Sequence, residues 1–135
     1  MNITLVSCCI LQKRNKILVT SRPPSKPFSG FYEFPGGKLE KKESFYDAVI
    51  RELNEELGIK AKAQDLAIID NITHSYKNNH IVIMAVFLLK KWSGLLKPRE
   101  SQEIQWLLRS NTRKLNFLDG SKIILERLNS NFYNF

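Results

Sequence analysis

The sequence predicts a mixed α/β fold in which helices cover a β-sheet. Apolar and β-branched residues at 3–11, and a nine-residue apolar run at 81–89, are typical of buried strands. Between these segments, residues 44–57 carry apolar side chains at three- and four-residue spacing, which predicts an amphipathic helix. The chain has 135 residues, about the length of one domain, so we expect a single domain over 1–135.

The remaining elements follow in order along the chain. Residues 17–20 are predicted to pair with the first strand across the polar turn 12–15. Three prolines in 22–27 exclude a helix there, and the short aromatic segment 31–34 ends at Pro35-Gly36-Gly37. Further strands are predicted at 66–75, 80–90 and 104–108, and a last helix at 121–128.

The helix at 44–57 has start and stop signals of its own. Ser44 is a good N-cap, and Asp47 stands at the third helical position, where an acid favours the helix N-terminus. Gly58 follows as a left-handed stop. The apolar stripe of the helix consists of Phe45, Ala48, Val49 and Leu53.

The charge of the chain is unevenly distributed. The net charge is +8, but residues 37–59 hold six acids and four bases and are therefore net negative. A basic protein attracts polyanions or phosphorylated ligands. An acidic segment within such a chain predicts a cation site that meets an anionic ligand.

The sequence contains no targeting signal that we recognise. The basic cluster near the start follows the first apolar run instead of preceding it, and the longest apolar run is too short to span a bilayer. Cys8 and Cys9 are neighbours that point to opposite faces of a strand, so we expect both in the core and unpaired. These features favour a soluble protein of a reducing cytoplasm that does not bind membranes.

Three glutamates crowd the last two turns of the predicted helix. Glu52, Glu55 and Glu56 stand at i, i+3 and i+4, where like charges cost roughly 0.2–0.5 kcal/mol per pair. Acids near a helix C-terminus also oppose its dipole. A solvated acidic face is the common explanation of such a cluster, but a site for a divalent cation such as Mg²⁺ explains the crowding better once the surrounding residues are considered.

The surrounding residues form a motif. The string Gly37-x5-Glu43-x7-Arg51-Glu52-Leu53-x-Glu55-Glu56-x-Gly58-Ile59 has nine defined positions in 23 residues, and it resembles the Nudix box at every one of them. The resemblance implies a Nudix hydrolase with an α/β/α sandwich, a mixed sheet and a catalytic loop–helix–loop. Phe34-Pro35-Gly36-Gly37-Lys38, the strand order and the region 100–106 are similar to the MutT-like members of the family.

The resemblance also implies a metal site and a brace. Metal ligands are expected at Glu52, Glu55, Glu56 and the carbonyl of Gly36, with Mg²⁺ as the cofactor and Mn²⁺ as a substitute. Arg51 is expected to form an ion pair with Glu43 that holds the loop against the helix. MutT-like enzymes bring a further metal-binding acid from a loop, for which Glu100 is favoured and Glu103 is the alternative.

The implied reaction is the hydrolysis of a nucleoside triphosphate to the monophosphate and pyrophosphate. Attack at the β-phosphorus needs a general base, for which Glu52 is our choice, although relatives differ on this point. The catalytic set is therefore Glu52, Glu55, Glu56 and Glu100. Arg22 and Lys38 match basic positions of MutT-like enzymes and are expected to contact phosphates.

The base that is recognised is less defined by the resemblance. MutT-like enzymes hold 8-oxo-dGTP partly through an asparagine before the last helix, and Ser121 falls opposite that position, with Asp119 as the nearest alternative. One serine hydroxyl cannot present the paired donor and acceptor of an amide. Phe117 and Tyr76 are candidates for packing on the base. 8-oxo-dGTP is the leading expected substrate, and other nucleotides are the alternative.

Two other classes of function compete with the hydrolase. A non-catalytic Nudix-type module that binds damaged bases or nucleic acid would suit the positive charge, but such modules usually lose box carboxylates, and all are present here. A structural protein leaves the clustered glutamates unexplained. No basic segment interleaves with aromatic residues, so we expect no stable nucleic-acid complex. We expect a monomer, with a dimer as the alternative.

Overall fold

The computed structural model describes residues 1–112 and 114–135. It contains seven strands and two α-helices. In chain order they are β1 (Asn2–Lys13), β2 (Lys16–Ser21), β3 (Tyr32–Glu33), β4 (Gly36–Lys38), α1 (Phe45–Leu57), β5 (Leu66–Tyr76), β6 (His80–Leu89), β7 (Ile104–Leu108) and α2 (Asp119–Asn129). A short 3₁₀ turn, Ala63–Asp65, precedes β5.

The sheet is mixed, and β1 is its central strand. The main path runs β3-β2-β1-β6-β5, while β4 pairs with β1 and β7 pairs with β2. β1 and β6 are parallel and pair over the whole length of β6, from Asn2↔His80 to Leu11↔Leu89. The other pairings are antiparallel.

The two helices lie on opposite faces of the sheet, which confirms the α/β/α arrangement. On one face, Cys8 and Ile10 of β1 pack in a core with Ile124 of α2. On the other face, Cys9 packs in a second core with Leu53 of α1. Alternate residues of one strand thus face different helices. Cys8 and Cys9 are buried and unpaired, as expected.

The ends of α1 agree with the prediction. The Ser44 side chain accepts a hydrogen bond from the Asp47 N–H, and the Asp47 carboxylate accepts one from the Ser44 N–H, each at 3.0 Å. This reciprocal pair is a capping box. Gly58 ends the helix with φ of 70°, a left-handed conformation that glycine adopts without steric cost.

β4 was not predicted, because its sequence was interpreted as a break. Gly36 and Gly37 pair with Cys8 and Ser7 of β1. At Gly36 the chain passes so close to β1 that an added Cβ would overlap the Ser7 carbonyl oxygen. The absence of a side chain is therefore what lets this segment join the sheet, and glycine was the wrong signal to use against a strand.

Two smaller differences from the prediction also occur. β6 is buried only over 85–89, whereas 80–84 is half-buried, and Met84 of that first half lines the pocket described below. α2 begins at Asp119, two residues before the predicted start, since the Leu118 carbonyl accepts from the Ser121 and Lys122 amides. Among the described residues, no helix is both long enough and apolar enough to cross a membrane.

Candidate active site

A cavity of about 510 Å³ opens beside the middle of β1. Val6, Ser7 and Cys8 of β1 form part of its lining, and β4 lies along one side. The loop at 22–31 and the start of α2 line the rest. The pocket therefore lies between the glycine-rich strand β4 and the chain segment that was expected to recognise a base.

Aromatic and small polar side chains line the part of the pocket next to α2. Phe117 stacks on Phe34, with ring centroids 6.4 Å apart and an interplanar angle of 25°. Phe117 is itself buried, so it forms a fixed wall. The structure places all the residues that were expected to contact the base on this pocket: Tyr76, Phe117, Asp119 and Ser121.

Two further aromatic residues at the pocket were missed by the sequence analysis. Phe28 and Phe31 contact each other edge-to-face at 6.0 Å and line the pocket from the loop at 22–31. Phe28 is 66% exposed and has φ of 60°, which is unusual for a bulky residue. A proline-rich loop gave no periodic signal that would have pointed to these side chains.

The carboxylates of α1 lie against the glycines of β4. The Gly36 N–H donates a hydrogen bond to Oε2 of Glu56 at 3.1 Å. A Cβ added to Gly37 would lie 2.6 Å from the Glu52 carboxyl carbon. Gly37 is therefore needed for β4 to lie this close to Glu52, and the Gly36 backbone lies beside the Glu56 carboxylate.

Burial and neighbouring negative charges raise the pKa values of two acids in this region. Burial raises the pKa of Glu56 to about 9, and the negative charges of Glu52, Glu33 and Glu100 add to the effect. Burial also raises the pKa of Glu52, despite the hydrogen bond from Arg51. We call Glu33, Glu52, Glu56 and Glu100 the carboxylate cluster. Such a cluster of like charges favours protons or a cation.

The two candidate loop acids, Glu100 and Glu103, lie in different surroundings. The charge of Glu100 acts on Glu33, Glu52 and Glu56. Glu103 instead accepts a hydrogen bond from the Tyr32 hydroxyl at 2.8 Å. Glu33 was missed because it lies outside the box, in a two-residue strand that no sequence pattern singles out.

Arg51 holds the loop before α1 against the helix. Its Nε and Nη2 donate to the two Glu43 carboxylate oxygens at 2.8 and 2.9 Å, and Nη2 also donates to the Lys38 carbonyl at 3.0 Å. Hydrogen bonds from Arg51, and then from the Glu40 N–H, lower the pKa of Glu43 to about 2. This is the ion pair that the sequence analysis expected, with bidentate geometry.

Arg51 also contacts two of the expected metal ligands. Its Nη1 donates to Glu52 at 2.7 Å and to Glu55 at 3.2 Å. The Glu55 side chain is half exposed. In this arrangement no three His, Cys, Asp or Glu side chains of the described residues are placed to hold one metal ion. Arg51 contacts one oxygen of each carboxylate, Oε1 of Glu52 and Oε2 of Glu55, which leaves the other oxygen of each to a metal.

The donor set nevertheless fits a hard divalent cation in its chemistry. All side chains of the carboxylate cluster offer oxygen, which Mg²⁺ and Mn²⁺ prefer. Bound positive charge would also offset the burial and the neighbouring negative charges that together raise the pKa of Glu56.

The two expected phosphate-binding residues both line the pocket. Lys38 lies at the end of β4. Arg22 is occupied within the protein: its Nη1 lies 3.6 Å from Oε2 of Glu33, and its Nε donates to the Pro27 carbonyl at 3.3 Å. Arg22 therefore connects the loop that carries Phe28 to the carboxylate cluster.

Known enzymes resemble the chain over most of its length. It is 35% identical to the 8-oxo-dGTP diphosphatase of Proteus vulgaris, across 67% of this chain and 79% of that protein. It is 32% identical to the CTP pyrophosphohydrolase of Escherichia coli, across 75% and 73% respectively. It is 36% identical to the ADP-ribose pyrophosphatase of Methanocaldococcus jannaschii, across 85% and 67% respectively.

The fold and the domain match agree with these relatives. A MutT structure from work on Aliivibrio salmonicida and Vibrio cholerae superposes with a TM-score of 0.80 at 25% identity, covering 97% of this chain and 100% of that one. Residues 1–126 match the NUDIX domain model, and Nudix hydrolases generally use a divalent metal. The chain therefore belongs to the Nudix family and is a hydrolase of phosphoanhydride bonds.

Proposed function

We propose that this protein is a Mg²⁺-dependent nucleoside triphosphate pyrophosphohydrolase that removes 8-oxo-dGTP from the nucleotide pool. The observation that carries the proposal is the carboxylate cluster, which lies against β4 beside an aromatic-lined pocket. The pocket is of a size that suits a small ligand. The cluster and the pocket together suit a ligand with a flat base at one end and phosphates at the other.

One group of residues would bind the metal. Glu52, Glu55, Glu56, Glu100 and the Gly36 carbonyl would hold the metal, and Glu33 is a further candidate that the geometry adds. Bound Mg²⁺ supplies charge neutralisation on the phosphates and lowers the pKa of a water molecule.

Other groups of the chain position the substrate and move the proton. Glu52 accepts the proton of the attacking water at its carboxylate, and Arg51 orients that carboxylate through its Nη1. Lys38 and Arg22 bind the phosphates, and Arg22 exchanges Glu33 for a phosphate oxygen when substrate enters. The products are the nucleoside monophosphate and pyrophosphate.

The base preference rests on the relatives and on the pocket. A relative named 8-oxo-dGTP diphosphatase supports oxidised guanine, and Phe34 with Phe117 offers a flat apolar wall. Ser121 replaces the expected amide and is buried. Asp119, which is exposed and 3.3 Å from the Lys122 ammonium, supplies the acceptor at the pocket edge. Relatives that act on CTP and ADP-ribose make those nucleotides the alternative substrates.

A panel of nucleotides tests the proposal. With Mg²⁺ present, pyrophosphate release would be measured for 8-oxo-dGTP, dGTP, dATP and CTP, and release of AMP would be measured for ADP-ribose, whose hydrolysis gives AMP and ribose 5-phosphate. We expect kcat/KM for 8-oxo-dGTP to exceed that for dGTP by more than about tenfold, or 1.4 kcal/mol. A smaller ratio contradicts the oxidised-guanine assignment but leaves the hydrolase.

Two variants separate catalysis from simple binding. Glu55→Gln should lower turnover, and Asp119→Asn should change the ranking of bases while turnover of the best substrate persists. Binding of nucleotide without any turnover in the wild-type protein would instead support the non-catalytic module.

The free thiols of Cys8 and Cys9 suit a reducing compartment, so we propose the cytoplasmic nucleotide pool as the place of action.

A further inference from the structure

Seven exposed basic side chains meet at the end of the sheet where β1 and β6 stop, and we call this surface the basic end. Three short segments supply them: the β1–β2 turn, the loop that follows α1, and the exit of β6. They are Lys13, Arg14, Lys16, Lys60, Lys62, Lys90 and Lys91. The same segments, 12–16, 60–65 and 90–93, contain one acid, Asp65.

The strand register brings three of these lysines into a row at this end of the sheet. Lys13 lies directly opposite Lys16 in the antiparallel pair β1–β2, at the spacing of neighbouring strands, about 5 Å. On its other side, β1 pairs in parallel with β6 as far as Leu11↔Leu89, so Lys13 and Lys91 each follow that last pair by two residues.

The loop after α1 extends this row. Lys60 and Ser93 are paired through both backbone amides, each at 2.9 to 3.0 Å. That bridge holds Lys60, and with it Lys62, beside the exit of β6. The basic end is therefore built from three segments that are separate in sequence, of which the sequence analysis singled out only the basic cluster of the β1–β2 turn.

Two features of the basic end do not help the chain to fold. Like charges directly opposite each other across a strand pair are destabilising, and Lys13 faces Lys16. Arg14 has φ of 59° in the two-residue turn, where glycine or asparagine has the lower cost. Within the described part of the chain, none of the seven side chains forms a salt bridge. A bound polyanion explains this arrangement.

We infer that the basic end binds nucleic acid through its phosphates, without reading the sequence. Closely spaced cations suit a regular line of phosphates. A membrane-binding surface adds protruding apolar side chains among its cations. Leu108, opposite Lys16, and Leu95, beyond Ser93, border the basic end, but no large exposed apolar residue lies within 12–16, 60–65 or 90–93. The aromatic residue nearby, Trp92, is stacked on Trp106 and is not free to stack on bases, which favours a duplex over a single strand.

The basic end is separate from the pocket. The pocket touches β1 at Val6, Ser7 and Cys8, and Lys13 lies five residues beyond Cys8, roughly 16 Å along the strand. The inference therefore does not depend on the identity of the nucleotide that the enzyme hydrolyses, and variants at the basic end should leave hydrolysis unchanged.

Binding of a short fluorescent DNA duplex, measured by anisotropy in EDTA at several salt concentrations, tests this inference. Glu at position 13 would face Lys16 as an opposite charge, so Lys13→Glu is expected to fold and to raise the melting temperature. We expect Lys13→Glu with Lys91→Glu to weaken duplex binding about tenfold or more at 0.1 M salt. The slope of log affinity against log salt should become shallower by about 2.

Lys77→Glu is the matched control for Lys13→Glu alone, since each reverses one exposed lysine and Lys77 lies in the turn between β5 and β6 at the other end of the sheet. Lys77→Glu should bind the duplex nearly as well as the wild type, whereas Lys13→Glu should bind it more weakly. Equal weakening by these two single variants would show that only total charge matters and would overturn the inference. So would an absence of duplex binding at low salt, or binding only to vesicles that contain phosphatidylserine.

Discussion

The amide N–H of Gly36 donates a hydrogen bond to Oε2 of Glu56 at 3.1 Å. This bond joins β4, a strand in which two of three residues are glycine, to the last turn of α1. It orients the most buried acid of the carboxylate cluster toward the backbone beside the pocket. Glu56 is thus held in place by a neutral group, and no salt bridge to it is found among the described residues, so its ionised form is costly.

The first prediction concerns Glu56 and pH. The pKa of Glu56 in the folded protein, about 9, lies above the ordinary value of 4.5, so the folded state binds a proton that the unfolded state releases. This contribution to stability is fully present below about pH 4.5 and is lost as the pH rises through about 9. Metal-free wild-type protein should therefore become less stable across this range.

Glu56→Gln should remove much of that loss, because an amide can still accept from the Gly36 N–H and carries no charge. Melting temperatures in EDTA at several pH values measure this, and at pH 8 the variant should melt at least about 3 °C higher. Its turnover should fall at least about 100-fold. A variant that melts lower than the wild type at pH 8 would show that the Glu56 charge is not a cost.

The second prediction concerns the brace between Arg51 and Glu43. Lysine keeps the charge of Arg51 but cannot donate to both Glu43 oxygens, to Lys38 and to Glu52 at once. Arg51→Lys should therefore lower kcat about tenfold or more with a smaller change in KM. Arg14→Lys is the control, since that exposed arginine lies far from the box.

A double-mutant cycle locates the effect of Arg51 more closely. If Arg51 acts through Glu43, then Glu43→Gln added to Arg51→Lys should cost much less than the two single effects combined. Additive losses in kcat would contradict a shared brace and would assign Arg51 a separate role at Glu52 or Glu55.

The third prediction compares the two glycines of β4. A Cβ at Gly37 meets the end of the Glu52 side chain, whereas a Cβ at Gly36 meets the Ser7 backbone. Gly37→Ala should displace Glu52, lower kcat and leave the melting temperature within a few degrees. Gly36→Ala should destabilise the fold itself by about 2 kcal/mol or more, because the backbone of β1 must move. Similar melting temperatures for the two variants would refute this distinction.

The fourth prediction concerns Phe28 at the pocket mouth. Its exposed ring, next to Phe31, is placed to stack on a base, a contact that is worth about 1–3 kcal/mol. Phe28→Ala should raise KM for the best nucleotide by about fivefold or more with little change in kcat. Phe132→Ala is the matched control, since Phe132 is similarly exposed, at 61%, but packs with Arg127 in the C-terminal segment. Equal effects on KM would exclude a specific role for Phe28.

The sequence predicted those parts of the protein in which side chains carry local information. The apolar spacing, Ser44, Asp47 and Gly58 predicted α1 to within a residue because caps and amphipathic faces act over a few residues. The family resemblance then predicted that Gly36 lies with Glu52, Glu55 and Glu56. Long strands such as β1 and β6 were visible for the same local reason.

The missed features depend on contacts between distant segments. β4 forms by backbone pairing with β1. Its glycines permit this pairing but give no sequence pattern that predicts it. Glu33 acquires its role only where β3 brings it near Glu100 and Glu56. Phe28 lies in a loop that is shaped by the Arg22 side chain and by backbone bonds between Arg22 and Phe31. No short-range pattern encodes such neighbours.

The most direct test of the account is the position of the cation itself. Crystals with Mn²⁺ and a non-hydrolysable nucleotide would be measured for anomalous scattering near α1. We predict a Mn²⁺ peak at about 2.1–2.3 Å from carboxylate oxygens of Glu52 and Glu56, with Glu100 close by and Glu103 still bound to Tyr32. A nucleotide seated in the pocket with no metal peak on this face of α1 would contradict the account.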